Sequence, residues 1–288
     1  METSLIENKI CLITGASNGI GYETALNLAA LGAKVVLAGR NEQKTALAAQ
    51  RIIEQTGNEN ISYLLADLSN LDGVRHLAKS FQEKHHQLDI LINNAGTMTA
   101  SREVNADGYE LCWGLNHLNY FLLTNELLPL LKASGMAEQK SRIINVASMA
   151  HKRARINFDD LQGENNYKKW QAYGQSKLAN IMFTYALARR LEGSNVTANC
   201  LHPGVVSTGF VSNVGTIEKL LGPIINMFLI SSFKGAQTSI YLASSKDVEN
   251  VSGKYFDKSK PIRSSNYSYD EAVQERLWEL SEKQVELG

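Results

Sequence analysis

Cysteine is scarce in this chain, and its placement excludes several chemistries. The three present, Cys11, Cys112 and Cys200, are widely scattered among 288 residues and lie in apolar surroundings. No pair has the spacing of a disulfide framework, a redox motif or a metal site, so all three are expected in the core of a protein from a reducing compartment. The six histidines, His85-His86 included, also lack ligand spacing, and no metal is expected. An excess of charge of one sign is missing too. With 29 basic and 29 acidic residues there is no global field to recruit nucleic acid or an anionic membrane. Long hydrophobic runs are absent as well: the greasiest stretch, Leu220–Ile230, contains Gly222 and Pro223 and is too short for a membrane span. The polar opening Met1–Lys9 leads directly into an apolar run, so neither a signal peptide nor an anchor helix is expected, and a cytoplasmic location is. No linker rich in Pro, Gly or Ser divides the chain and no repeat is evident. Residues 1–288 are therefore expected to form one domain.

What is present is a rhythm. Short apolar runs at Ile10–Ile13, Lys34–Ala38, Ser62–Leu65, Asp89–Ile92, Ile143–Val146 and Thr197–Leu201, with a weaker seventh at Gly253–Phe256, read as strands. Amphipathic segments at Ile20–Leu31, Glu42–Thr56, Leu71–Lys84, Ala106–Ser134 and Trp170–Leu191 read as helices, and Asp270–Leu287 as a terminal one. The alternation predicts a Rossmann-type, doubly wound α/β domain with a parallel sheet of about seven strands and helices on both faces. Two segments interrupt it. His151–Lys169 reads as a polar loop whose Lys152, Arg153 and Arg155 could contact an anionic substrate, although a solvated loop face is the better reading. Val205–Phe233 is apolar and follows the last central strand, which suits a substrate lid, although a dimer surface or a peripheral contact with a membrane suits it as well.

Three groups of residues carry chemistry. Thr14-Gly15-Ala16-Ser17-Asn18-Gly19-Ile20-Gly21 lies between the first strand and the first helix. Glycines there permit a tight turn and close approach of a pyrophosphate, and the helix N-terminus offers N–H groups to it. At the end of the second strand the chain reads Gly39-Arg40-Asn41. The acid that would hold a ribose 2′-hydroxyl is missing, and a guanidinium that can grip a 2′-phosphate follows, so NADP(H) is favoured over NAD(H). Finally, Tyr173 and Lys177 are four residues apart, which places them on one helix face. An ammonium lowers the pKa of a nearby phenol, and the pair can then exchange a proton with a carbonyl oxygen while hydride moves at its carbon.

With these residues in order, the chain resembles the short-chain dehydrogenase/reductase family over roughly residues 8 to 257. Within the family it looks similar to the retinol dehydrogenase-like branch that uses NADP(H), on Asp107-Gly108-Tyr109-Glu110, Asn116-His117-Leu118, Phe158-Asp159-Asp160-Leu161, Ser176–Asn180, His202–Val206 and the Gly235-Ala236-Gln237-Thr238 turn into a helix. The resemblance implies cofactor contacts from Gly15, Ser17, Asn18, Gly19, Ile20, Gly21, Arg40, Asn41, Asp67, Leu68, Asn94, Ala95, Gly96, Pro203, Gly204, Val206 and Thr208. It implies a tetrad of Asn116, Ser148, Tyr173 and Lys177, in which Tyr173 is the general acid or base, Ser148 polarises the carbonyl, and Lys177 also holds the cofactor ribose. Asn116 is then expected to hold the lysine through a water. Many relatives pair through the two long helices that begin near Ala106 and Trp170.

The expected activity is interconversion of a small apolar aldehyde or ketone and its alcohol with NADP(H). A dinucleotide-sensing regulator on the same fold is the alternative, and the intact tetrad argues against it. Homo-oligomerisation is left open.

Overall fold

A computed structural model of the protein describes residues 5–204 and 231–287. The lid expected over Val205–Phe233, with Val206 and Thr208, falls outside the described residues up to position 230.

Each predicted strand forms. They are β1 Ile10–Thr14, β2 Lys34–Gly39, β3 Ile61–Leu65, β4 Ile90–Asn93, β5 Ser141–Val146, β6 Val196–His202 and β7 Tyr255–Asp257, followed by β8 Lys260–Ile262. The sheet order is β3-β2-β1-β4-β5-β6-β7-β8. Pairings from β3 through to β7 are parallel, and β8 returns antiparallel to β7. The eighth strand is an addition to the seven expected. Its two-residue turn, Lys258-Ser259, holds both residues in the left-handed region (φ 49° and 59°), without the Asn-Gly or Asp-Gly that usually signals such a hairpin.

The central strands β1, β2, β4, β5 and β6 are buried on both faces because helices cover both, whereas the edge strand β8 is exposed. Side chains alternate along each strand: Cys11, Ile13, Val35, Leu37, Ile90 and Ile92 join one apolar cluster, while Leu12, Val36 and Leu91 join the other. The first cluster is closed by α1 Gly19–Ala30, α2 Glu42–Thr56 and α7 Ser232–Ser244. The second is closed by α3 Leu71–Lys84, α5 Asn119–Ser134, α6 Lys169–Arg190 and α8 Glu271–Gln284. All three cysteines are buried and free, as their apolar neighbours suggested. Lys152, Arg153 and Arg155 are exposed, as expected of a solvated loop face.

Two helix boundaries differ from the sequence reading. The helix expected from Ala106 starts at Leu111, as α4 Leu111–Trp113, and continues through a π-turn Gly114–Leu118 into α5. Asn105 Oδ1 accepts the N–H groups of Asp107 and Tyr109, and Glu110 caps α4 by accepting from Cys112 and Trp113. The N–H groups that a helix from Ala106 would need are used elsewhere, that of Glu110 by Gln162 Oε1 (2.7 Å) and that of Leu111 by the Glu103 carbonyl (2.9 Å), so 105–110 is a turn. Likewise Gly235–Thr238 is not a turn leading into a helix but already part of α7, which begins at the Ser231 cap.

Among the described residues no helix is long and apolar enough to cross a membrane, and no cluster of three or more His, Cys, Asp or Glu is placed to hold a metal ion.

Candidate active site

The strand order reverses between β1 and β4, and in open α/β sheets the crevice at that point, beyond the carboxyl ends of the strands, receives the ligand. The predicted residues collect there because each follows a strand end. Gly15–Gly21 follow β1, Arg40 follows β2, Asp67 and Leu68 follow β3, Asn94–Gly96 follow β4, Ser148 follows β5, and Pro203-Gly204 follow β6.

The glycine turn is fastened to β4. Thr14 Oγ1 accepts from the N–H groups of Asn94 (2.9 Å) and Ala95 (3.0 Å), and Asn94 Nδ2 donates to the carbonyls of Thr14 (2.8 Å) and Gly15 (3.2 Å). Asn94 was expected beside the cofactor, and its amide is here a clasp on the turn. A Cβ at Gly21 would lie 2.4 Å from the Gly15 carbonyl oxygen and 2.6 Å from Asn94 Nδ2, so the clasp requires a residue without a side chain. The following helix is left open to an anion: α2, α3, α7 and α8 are each capped by a side chain, whereas the Asn18 side chain makes no cap bond to α1 and the first turn of α1 carries no acid. That donor set fits a pyrophosphate.

Beyond β2, Gly39 is packed against Thr45, where a Cβ would lie 2.4 Å from Oγ1. Arg40 is exposed, without a partner among the described residues. Asn41 Oδ1 caps α2 by accepting from Lys44 N–H (2.9 Å). Asp67 is exposed, and its Oδ1 accepts from Ser69 N–H (3.0 Å). Leu68 is buried in the core.

The tetrad residues converge. Ser148 Oγ accepts from the Ala150 N–H (3.2 Å), which leaves its own proton free to be donated, and Ser148 and Tyr173 are hydrogen-bonded side chain to side chain. Lys177 lies beneath them with only 3% exposure, its Nζ donating to the Val146 carbonyl (2.9 Å) and standing 5.9 Å from the centre of the Tyr173 ring. Gly96 makes room: a Cβ there would lie 3.0 Å from Asn116 Oδ1 and 3.4 Å from Lys177 Nζ.

Asn116 sits in the π-turn. Its amide accepts from Thr97 N–H (2.7 Å) and donates to the Thr97 carbonyl and to Ser176 Oγ (2.9 Å each), while its own carbonyl accepts from Asn180 Nδ2 (2.8 Å). The described contacts of Asn116 brace the segment after Gly96. Thr97 carries no signal in the sequence, and Thr14 and Asn180 belong to quoted motifs without a role of their own. Thr14 had a visible signal, since it opens the glycine turn.

One electrostatic expectation is overturned. Lys177 was expected to depress the Tyr173 hydroxyl. Burial instead pushes Tyr173 up to about 12, with the Ser148 hydrogen bond opposing that rise, and burial pushes Lys177 down to about 7. Both groups share one desolvated pocket, and desolvation disfavours whichever form of each is charged.

Two exposed apolar side chains lie near the tetrad. Met149 and Trp170 are 44% and 59% exposed, the first adjoining Ser148 and the second 6.5 Å from the Tyr173 ring, centre to centre.

The chain matches the family model described as short chain dehydrogenase over residues 9–219. It is 43% identical to retinol dehydrogenase 14 of Homo sapiens, across 99% of this chain and 89% of that protein. It is 40% identical to polyprenol dehydrogenase of Homo sapiens, across 95% and 84%. Among solved structures, an uncharacterized protein from Mycobacterium paratuberculosis is similar with a TM-score of 0.79 and 32% identity, over 99% of this chain and 96% of that one. The Pseudomonas aeruginosa RhlG/NADP active-site complex is similar with a TM-score of 0.73 and 26% identity, over 93% and 100%.

Proposed function

The chain belongs to the short-chain dehydrogenase/reductase family, and from that premise we propose that it is an NADP(H)-dependent oxidoreductase interconverting an apolar aldehyde or ketone and its alcohol. The observation that carries the reading is the convergence of the Ser148 and Tyr173 hydroxyls above the buried Lys177, at the crevice where the strand order reverses.

Cofactor choice rests on the end of β2. An acid at Gly39 is disfavoured by Thr45, and Arg40 has a guanidinium with no competing partner among the described residues. The uncapped start of α1 would hold the pyrophosphate, Arg40 the 2′-phosphate and Lys177 the nicotinamide ribose. When bound, the nicotinamide supplies or accepts the hydride at the carbonyl carbon.

The chain's own residues handle the oxygen. Tyr173, kept protonated by burial, donates its proton to the carbonyl oxygen as the alcohol forms. Ser148 Oγ–H donates to the same oxygen and fixes its position. Lys177 retains two N–H donors beyond its bond to Val146. The exposed Met149 and Trp170 beside the tetrad, and relatives whose names specify retinol and polyprenol, support an apolar substrate.

Tyr173→Phe tests the assignment. Steady-state turnover with NADPH and a panel of aldehydes should fall by roughly 10²- to 10⁴-fold, the usual contribution of a general acid, while NADPH titration by fluorescence stays unchanged. Retention of most of the activity would rule out Tyr173 as the proton donor.

A further inference from the structure

Two buried histidines outside the tetrad grip one peptide bond. His151 Nδ1 lies 2.6 Å from the Ser148 carbonyl oxygen, and His202 Nδ1 receives the N–H of Met149 at 3.3 Å. The carbonyl and the N–H belong to the same peptide unit, the one that follows Ser148. Both rings are well buried, with 0% and 6% exposure.

Their partners determine both tautomers. His151 Nε2 accepts from the backbone N–H of Ser265 (3.2 Å), so the ring proton is on Nδ1 and is donated to Ser148. His202 Nδ1 is an acceptor, so its proton is on Nε2. The two rings reach this peptide from different parts of the chain. His202 ends β6, pairs with Asp257 of β7, and lies next to Ala147, whose N–H donates to the Leu201 carbonyl. His151 is in the 3-10 turn Met149–Arg153 capped by Ser148, edge-on to the Tyr255 ring at 4.9 Å.

We infer that His151 and His202 are positioning residues that clamp the Ser148–Met149 peptide and so aim the Ser148 hydroxyl at the carbonyl oxygen of the substrate. The inference rests on the role proposed for Ser148 above. The clamp has a physical rationale: Ser148 lies where β5 gives way to a short 3-10 turn, beyond the strand ladder, and the backbone bond to its carbonyl there is the long one from His151 N–H (3.3 Å), which the 2.6 Å ring contact supplements. A hydrogen bond at each end of the peptide unit fixes its plane, and the Oγ position follows.

At both positions Nδ1 makes the contact. An asparagine amide can replace Nδ1, whereas a glutamine amide reaches the place of Nε2. His151→Asn and His202→Asn should keep kcat with NADPH and decanal within about threefold of wild type, and His151→Gln and His202→Gln should lose about tenfold, the scale of one lost hydrogen bond in the transition state. NADPH affinity should stay level in all four. In a Ser148→Ala background the glutamine variants should cost nothing further, because the group being aimed is gone.

Equal losses for Asn and Gln, or additive losses in the Ser148→Ala background, would overturn the clamp. Ser148→Ala alone reads the underlying assignment, and full activity there would overturn both ideas. A readout free of turnover is the pair of tautomers. Long-range proton–nitrogen spectra of the wild-type protein should show Nδ1–H for His151 and Nε2–H for His202, and the opposite tautomer at either ring would overturn the proposal.

Discussion

Gly39 and Arg40 show how much can depend on a single missing side chain. The glycine is buried at the end of β2, and Thr45, whose Oγ1 is tied to the Asn41 carbonyl at 2.8 Å, fills the space a side chain would need. Introducing an acid there meets a β-branched, fully buried neighbour. Gly39→Asp is expected to destabilise the protein by about 1–3 kcal/mol, the usual cost of overpacking, as read by urea unfolding. Arg40→Ala should leave the fold intact, because Arg40 is exposed. It should weaken NADPH by roughly 10- to 100-fold, the worth of a charge-assisted hydrogen bond, with little effect on NADH. Parallel fluorescence titrations decide this, and equal losses for the two cofactors would remove Arg40 from the 2′-phosphate site.

At the scale of elements, the terminal helix α8 packs on the core, as its amphipathic pattern suggested. It braces the helices that carry the site. Ser281 Oγ is 2.9 Å from His117 Nε2 in the π-turn, and Gln284 receives Trp113 Nε1–H (3.0 Å) and the Tyr109 hydroxyl (2.8 Å). Trp278 packs against Phe121 and Phe183 with ring centres 4.9 and 5.6 Å apart, and the Arg190 guanidinium lies 4.0 Å over it. Trp278→Ala should cost about 3–5 kcal/mol, as large-to-small substitutions of buried aromatics do, measured as a shift in urea midpoint. A loss under 1 kcal/mol would mean that α8 is dispensable to the packing of α5 and α6. Periodicity had marked this helix as amphipathic, but which helices it covers depends on partners more than 150 residues distant, such as His117 and Ser281. The π-turn was equally hidden, because it depends on bonds from Thr97 and Asn180 to Asn116.

Across the whole molecule, burial of neutral imidazoles makes stability depend on pH. Burial pushes His117 and His202 down to about 4 from an ordinary value of 6.5. In the unfolded chain both take up protons near pH 6.5, and in the folded protein only near pH 4. Between those values the unfolded state binds more protons, so unfolding becomes easier as pH falls. The contribution is complete above about pH 6.5, is lost down to about pH 4, and is of the order of a few kcal/mol per ring. Melting temperatures recorded from pH 8 to pH 4 should therefore decline below pH 6.5. Asparagine or leucine at both positions should flatten that decline, and an unchanged slope would exclude these rings as its source.

The sequence by itself determined the order of strands and helices, the glycine turn, the absence of an acid after β2 and the shared helix face of Tyr173 and Lys177. Each of these depends on neighbours within a few residues, where period, spacing and turn chemistry act directly. Only the tertiary structure decided the directions in which Tyr173 and Lys177 shift, the brace formed by α8 and the grip of two histidines on the Ser148–Met149 peptide. Desolvation depends on everything packed around a group, and the bond from Met149 to His202 spans 53 residues of chain. No local pattern records such contacts, because they exist only once the sheet has brought β5, β6 and β7 side by side.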